Sequence, residues 1–142
     1  MWLGLEQLHQ LSSMGDLQMR VSMGSSTHPW SGWGQLENVQ IADDTNGFQL
    51  IFGARSGGNS NADFQEMPFF EKGQQFTTRD HDVDQKASSN CAVTLGGWWH
   101  KGAGGSYCTY NAFNGNFNGG ILYVVGGSPI TMDFAEIKVR LA

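Results

Sequence analysis

Phe76-Thr77-Thr78-Arg79-Asp80-His81-Asp82-Val83-Asp84-Gln85-Lys86-Ala87-Ser88-Ser89-Asn90-Cys91-Ala92, closed by Gly96-Gly97-Trp98-Trp99, carries more information than any other stretch of the chain. Asp80, Asp82 and Asp84 stand at alternate positions. Carboxylates so close repel one another unless water or a shared cation screens them. A hard cation such as calcium takes about six to eight oxygens from carboxylates, backbone carbonyls and water, which such a loop can supply. An EF-hand is excluded: counting from Asp80, Gln85 stands where its glycine belongs and Cys91 where its closing glutamate belongs. The plainer alternative is a solvated acidic turn whose aspartates bond neighbouring amides.

The same stretch contains Cys91, one of two cysteines, with Cys108 the other. Pairing them would close a loop worth about 3 kcal/mol in the chain-entropy picture. A zinc site with His100 lacks the closely spaced ligand pairs of structural zinc, so a disulfide suits the two cysteines better. Trp98 and Trp99 read either as core anchors or as an aromatic wall for a ligand. Tyr107, Tyr110 and Phe113 flank Cys108 in a Gly- and Asn-rich segment. Aromatic walls with a few placed polar groups suit a sugar or acetyl pocket.

On the amino-terminal side, Leu5, Leu8 and Leu11 predict a short amphipathic helix within residues 2–12. Residues 17–23 alternate apolar and polar, as a half-buried strand does. Residues 24–34 read as a Gly/Ser/Pro-rich loop with His28, Trp30 and Trp33. Strands over 39–42 and 48–52 flank Asp43-Asp44-Thr45-Asn46-Gly47, where Asn-Gly signals a hairpin. Residues 54–108 show little periodicity, and so long an irregular stretch is usually functional. Regularity returns in the apolar run 121–125 and in the strict alternation of Phe134-Ala135-Glu136-Ile137-Lys138-Val139-Arg140-Leu141.

Twenty of the 142 residues are glycine, about twice the usual share, and charged residues make up only 15%. That composition excludes coiled coil and collagen, and the spread of large apolar residues excludes wholesale disorder. No apolar run is long enough to span a membrane. A net charge of −5, with eight scattered basic residues, argues against a nucleic-acid partner. Met1-Trp2-Leu3-Gly4-Leu5 and the residues after it form neither a basic n-region nor an apolar h-region, so no signal peptide is expected there. Nucleophile-elbow, zincin and phosphate-loop motifs are absent. No pair of carboxylates stands out as acid and nucleophile, so no enzymatic activity is expected.

The motifs in order resemble fibrinogen C-terminal-like domains. Trp2-Leu3-Gly4-Leu5-Glu6 and Leu17-Gln18-Met19-Arg20-Val21 are similar to that family's opening segments. The run 76–84 is similar to its calcium loop. Asn90-Cys91-Ala92, Gly96-Gly97-Trp98-Trp99, Cys108 and Asn114-Gly115 follow in the family's order, and Phe134-Ala135-Glu136-Ile137-Lys138-Val139-Arg140 is similar to its closing strand. The resemblance covers essentially the whole chain. Members usually open with a further disulfide-bearing subdomain, which this chain is expected to lack.

The resemblance implies an α+β fold: a small, mostly antiparallel twisted sheet with short helices and a long-loop binding subdomain. One domain over 1–142 is expected, with a sheet core at 1–78, a closing strand at 130–142, and calcium and ligand loops at 79–129. It implies Ca2+ on the Asp82 and Asp84 side chains, with carbonyl donors near Lys86 and Ser88, one residue being inserted before Cys91. Ficolin- and tachylectin-type members bind N-acetylated sugars beside this site. There, amides around the second cysteine, often after a cis peptide, hold the acetyl oxygen; here that step is Tyr107-Cys108-Thr109. Thr109 replaces a usual histidine, Ile130 replaces a pocket tyrosine, and another pocket position falls at Leu95. Trp99 is expected as a pocket wall, and the cross-link as Cys91–Cys108. The expected function is a secreted, oligomeric, calcium-supported lectin for N-acetylated glycans or glycoproteins. The alternative is an extracellular protein-interaction module.

Overall fold

The computed structural model describes residues 3–26, 30–59, 72–101, 108–109, 111–114, 121–125 and 128–142. The leucine stripe forms α1 (Leu5–Ser13), which ends just before Gly15. It is tied to the sheet through Ile41: His9 Nδ1 contacts the Ile41 carbonyl at 2.7 Å, and the buried Ser12 hydroxyl accepts the Ile41 amide at 3.0 Å. Leu5, Leu8 and Leu11 pack on the core.

The principal sheet is antiparallel. β1 (Leu17–Ser25) lies between β2 (Trp30–Ile41) and β8 (Phe134–Leu141), and β2 also pairs with β3 (Leu50–Ile51) and β4 (Arg55–Asn59). Leu17, Met19, Val21 and Met23 alternate inward along β1 and are buried. Their partners on β8 are Leu141, Val139, Ile137 and Ala135, so the first and last strands present one apolar face. Burying such side chains contributes roughly 1.5–3 kcal/mol each before entropy is subtracted.

β2 begins nine residues earlier than the expected strand at 39–42. Its inward positions before Leu36 are Gly32 and Gly34, which give no apolar signal. Between Leu36 and Val39 the register shifts against Met19 and Leu17, with Asn38 at φ 51. That bulge turns both Leu36 and Val39 inward and breaks the period of two. The expected hairpin across 43–47 forms, Gln40 pairing with Ile51 and Ile41 with Leu50, and its connection holds a 3-10 turn (Asp44–Asn46) capped by Asp43 and ended by Gly47 at φ 61.

A second antiparallel sheet comprises β5 (Asn111–Ala112), β6 (Ile121–Val125) and β7 (Ser128–Met132). Residues 130–132 therefore belong to this sheet, and the return to the principal sheet starts at Phe134, correcting the expected boundary at 130. Asp133 pins the crossing: its amide donates to Gly24 O at 3.0 Å and its carboxylate accepts from the Ser26 amide and hydroxyl. Those two bonds hold the Asp133 carboxyl below the usual range.

Trp98 fastens the segment after the short helix α2 (Cys91–Leu95) to the core. It bridges Thr77 through Thr77 N to Trp98 O at 2.9 Å and Trp98 N to Thr77 O at 3.1 Å. Its ring is 2% exposed, edge-on to Trp99 at 5.4 Å and tilted against Phe113 at 4.9 Å.

Candidate functional site

The acidic loop is ordered by its own carboxylates. Asp82 Oδ1 accepts the Asp84 amide at 3.3 Å, and Asp84 Oδ1 accepts the Lys86 amide at 2.8 Å. Asp84 Oδ2 reaches across to accept the Cys91 amide at 2.9 Å. Asn90 caps α2 through the Ala92 amide, and its own amide donates to Thr78 O at 2.9 Å and Arg79 O at 3.3 Å. Asp80 turns back to Thr78, whose hydroxyl donates to it at 2.8 Å and holds its carboxyl below the usual range. Lys86 O accepts the Ser89 amide at 3.2 Å, and Ser88 is exposed.

Cys91 and Cys108 form a disulfide with Cα atoms 5.6 Å apart. Asp84, Cys91 and Cys108 are thus joined by one hydrogen bond and one covalent bridge. Cys108 O accepts the Lys101 amide at 2.9 Å, and Lys86 Nζ lies 3.7 Å from Cys108 Sγ. Thr109 is 5% exposed, and Leu95, the last residue of α2, is half-buried. Ile130 lies on β7 with its main chain opposite Tyr123. Tyr107, and with it the peptide bond before Cys108, lies outside the described residues, as does Tyr110.

Trp99 departs from its expected place. It is 4% exposed, its ring N–H donates to Phe48 O at 2.9 Å, and Phe76 meets it edge-on at 5.0 Å. Its remaining surface faces an apolar cavity of about 620 Å3 between α1 and β8, whose described lining includes neither Cys108 nor Thr109. Trp99 serves the core, because an indole that can satisfy its N–H indoors gains more from burial than from exposure.

Sequence reasoning also passed over His100 as anything beyond a zinc candidate. It is fully buried, and its Nε2 donates to Gly96 O at 2.8 Å, while Nδ1 has no partner among the described residues. Burial lowers its pKa, and the Gly96 bond and the charges of Asp84 and Asp82 oppose that shift only in part. The unfolded chain therefore takes up a proton first. Stability is full above about 6.5 and falls as the pH drops from there toward the folded-state value. Denaturant midpoints measured across this window should flatten in His100→Gln.

Among the described residues, no three or more His, Cys, Asp or Glu side chains converge as a metal set. Asp82 and Asp84 have no cationic partner there either, so their charges are compensated only by amides.

The model of the C-terminal globular domain of fibrinogen beta and gamma chains matches residues 1–140. The chain belongs to this family. Its sequence is 28% identical to human tenascin-R over 98% of this chain, which spans 10% of that protein. It is 29% identical to fibrinogen-like protein A of Apostichopus parvimensis, again over 98% of this chain and 49% of the relative. The solved fibrinogen-like globe of human ANGPTL2 superposes with a TM-score of 0.77 at 24% identity, covering 99% of this chain and 65% of that one. This chain thus spans less than two thirds of these relatives. Fibrinogen-like domains are generally non-enzymatic modules that bind protein or carbohydrate. Among the described residues no helix is long and apolar enough to cross a membrane.

Proposed function

We propose that this fibrinogen-like domain is a secreted, calcium-supported lectin that binds N-acetylated carbohydrate, of the GlcNAc or GalNAc kind, beside the Cys91–Cys108 disulfide. One observation carries the reading. Asp84 holds the amides of Lys86 and Cys91, and Cys91 is cross-linked to Cys108, so the carboxylate loop and the Cys108–Thr109 step act as one unit.

The donor chemistry fits calcium: two carboxylates without a cationic partner among the described residues and a loop of main-chain oxygens, with no soft ligand among them. Asp82 and Asp84 would hold the ion through their side chains, with carbonyls near Lys86 and Ser88. Bound calcium neutralises the paired carboxylates and stiffens the loop. Main-chain amides at Cys108 and Thr109 then donate to the acetyl oxygen, and Leu95 offers apolar surface to the acetyl methyl. Such single sites bind weakly, so the lectin acts as a homo-oligomer that gains avidity on clustered glycans and glycoproteins.

Titration calorimetry with N-acetylglucosamine and with acetate, with calcium and with chelator, tests the proposal. Heat is expected from both ligands in calcium and from neither after chelation. No heat from any acetylated ligand overturns it. The second reading, a protein-interaction module, is favoured by Thr109, which is buried where relatives of the lectin type carry a histidine. A blank glycan array together with capture of a purified cell-surface protein selects that reading.

A further inference from the structure

The outer face of the principal sheet carries an unusual juxtaposition. Arg20 on β1 lies directly opposite Lys138 on β8, and Arg140 is two residues further along the same face, opposite Gln18. Like charges directly opposite across a strand pair are destabilising. Three of the chain's eight basic residues nevertheless gather here, in a chain of net charge −5. They line a groove of about 380 Å3 with Gln18, Gln35 and Val139.

Two acidic neighbours reduce the charge here but leave an excess of one cation: Glu37, which accepts from the Gln18 and Gln35 amides, and Glu136, 3.0 Å from Lys138, whose side chain stays 67% exposed. Arg20 has no carboxylate partner among the described residues and stacks over Trp33, its Cζ 4.2 Å from the ring centroid. Arg140 Nε donates to Gln18 Oε1 at 2.6 Å, which fixes its guanidinium in the groove. Guanidinium groups oriented by stacking and by an amide are set to receive planar or tetrahedral oxyanions.

We infer that this face is a second binding site, separate from the disulfide site, for a sulfated saccharide whose anionic groups bridge Arg20, Lys138 and Arg140. Charge complementarity selects the anion. Trp33 selects a saccharide over a plain polyanion, since its ring can meet a sugar face between the charges.

The probe is a fully sulfated heparin hexasaccharide, titrated against the full chain. Binding is expected, weakening with added salt. Arg20→Gln and Lys138→Gln should each lower affinity about tenfold, the scale of one charge-assisted hydrogen bond, and Lys72→Gln, an exposed control, should not. Lys138 is exposed enough that its replacement leaves folding intact. Equal binding by both variants and the parent, no binding at all, or equally tight binding of hexaglutamate overturns the inference. Displacement by N-acetylglucosamine also overturns it, by placing the saccharide at the disulfide site instead. The outcome is independent of whether acetylated sugars bind there.

Discussion

Gly96→Ala is expected to cost about 4 kcal/mol, from backbone strain and overpacking together, and to loosen the loops around the disulfide. Gly96 ends α2 with φ 79 and ψ 173, a conformation that side-chain-bearing residues rarely adopt. A Cβ there would lie 1.8 Å from the main-chain oxygen of Asn114. Neither side yields easily. Gly96 N donates to Ala92 O at 3.0 Å, Gly96 O accepts from His100 at 2.8 Å, and the Asn114 amide donates to Gly97 O at 2.8 Å. The loss is a large part of a stability on the order of 10 kcal/mol, and the melting temperature should fall by about 10 °C or more. Gly73→Ala separates strain from collision: φ is 82 there, but the nearest atom, Gln49 Nε2, is 3.9 Å from the added Cβ. That variant should lose only about 1 kcal/mol. Equal losses in thermal or urea unfolding would show that the Asn114 contact gives way freely.

Asp84→Ala is expected to remove about 3 kcal/mol without calcium and the whole of any calcium-induced rise in melting temperature. The Lys86 and Cys91 amides both lose an acceptor, and the second of these bonds holds the loop against the start of α2. An ion that binds only the folded chain stabilises it by mass action, and deleting one of two carboxylate ligands abolishes that increment. Asp84→Asn keeps a carbonyl acceptor, so it should recover part of the stability but none of the calcium response. Asp80→Asn, at an exposed position bonded to Thr78, should leave the melting temperature and the calcium response close to those of the parent. Differential scanning calorimetry across a calcium series checks all three. A calcium response that survives in Asp84→Ala would place the ion elsewhere.

Much of the fold is legible where side-chain period and burial agree. The leucine stripe of α1 and the alternations of β1 and β8 give the first layer of the core directly, and the cysteines give the disulfide. β2 is hidden because Gly32 and Gly34 occupy its inward positions and the bulge at Asn38 shifts its register. β7 is hidden by brevity and by Pro129, which argues locally against a strand. The candidate site is legible as a set of residues in order, and the structure adds how Asp84 reaches Cys91. Trp99 misleads because a paired tryptophan reads the same whether it faces a ligand or, as here, Phe48 and Phe76. Nothing in a one-dimensional pattern reveals that Arg20 faces Lys138, since 118 residues separate them and only strand register brings them together.

The most direct test of the central proposal is a crystal structure of the domain soaked with calcium and N-acetylglucosamine. Calcium is expected on the Asp82 and Asp84 carboxylates, with the acetyl oxygen within hydrogen-bonding distance of main-chain amides at Cys108–Thr109. Sugar bound away from the disulfide, or an acetyl group bound there with no cation on the aspartates, would contradict it.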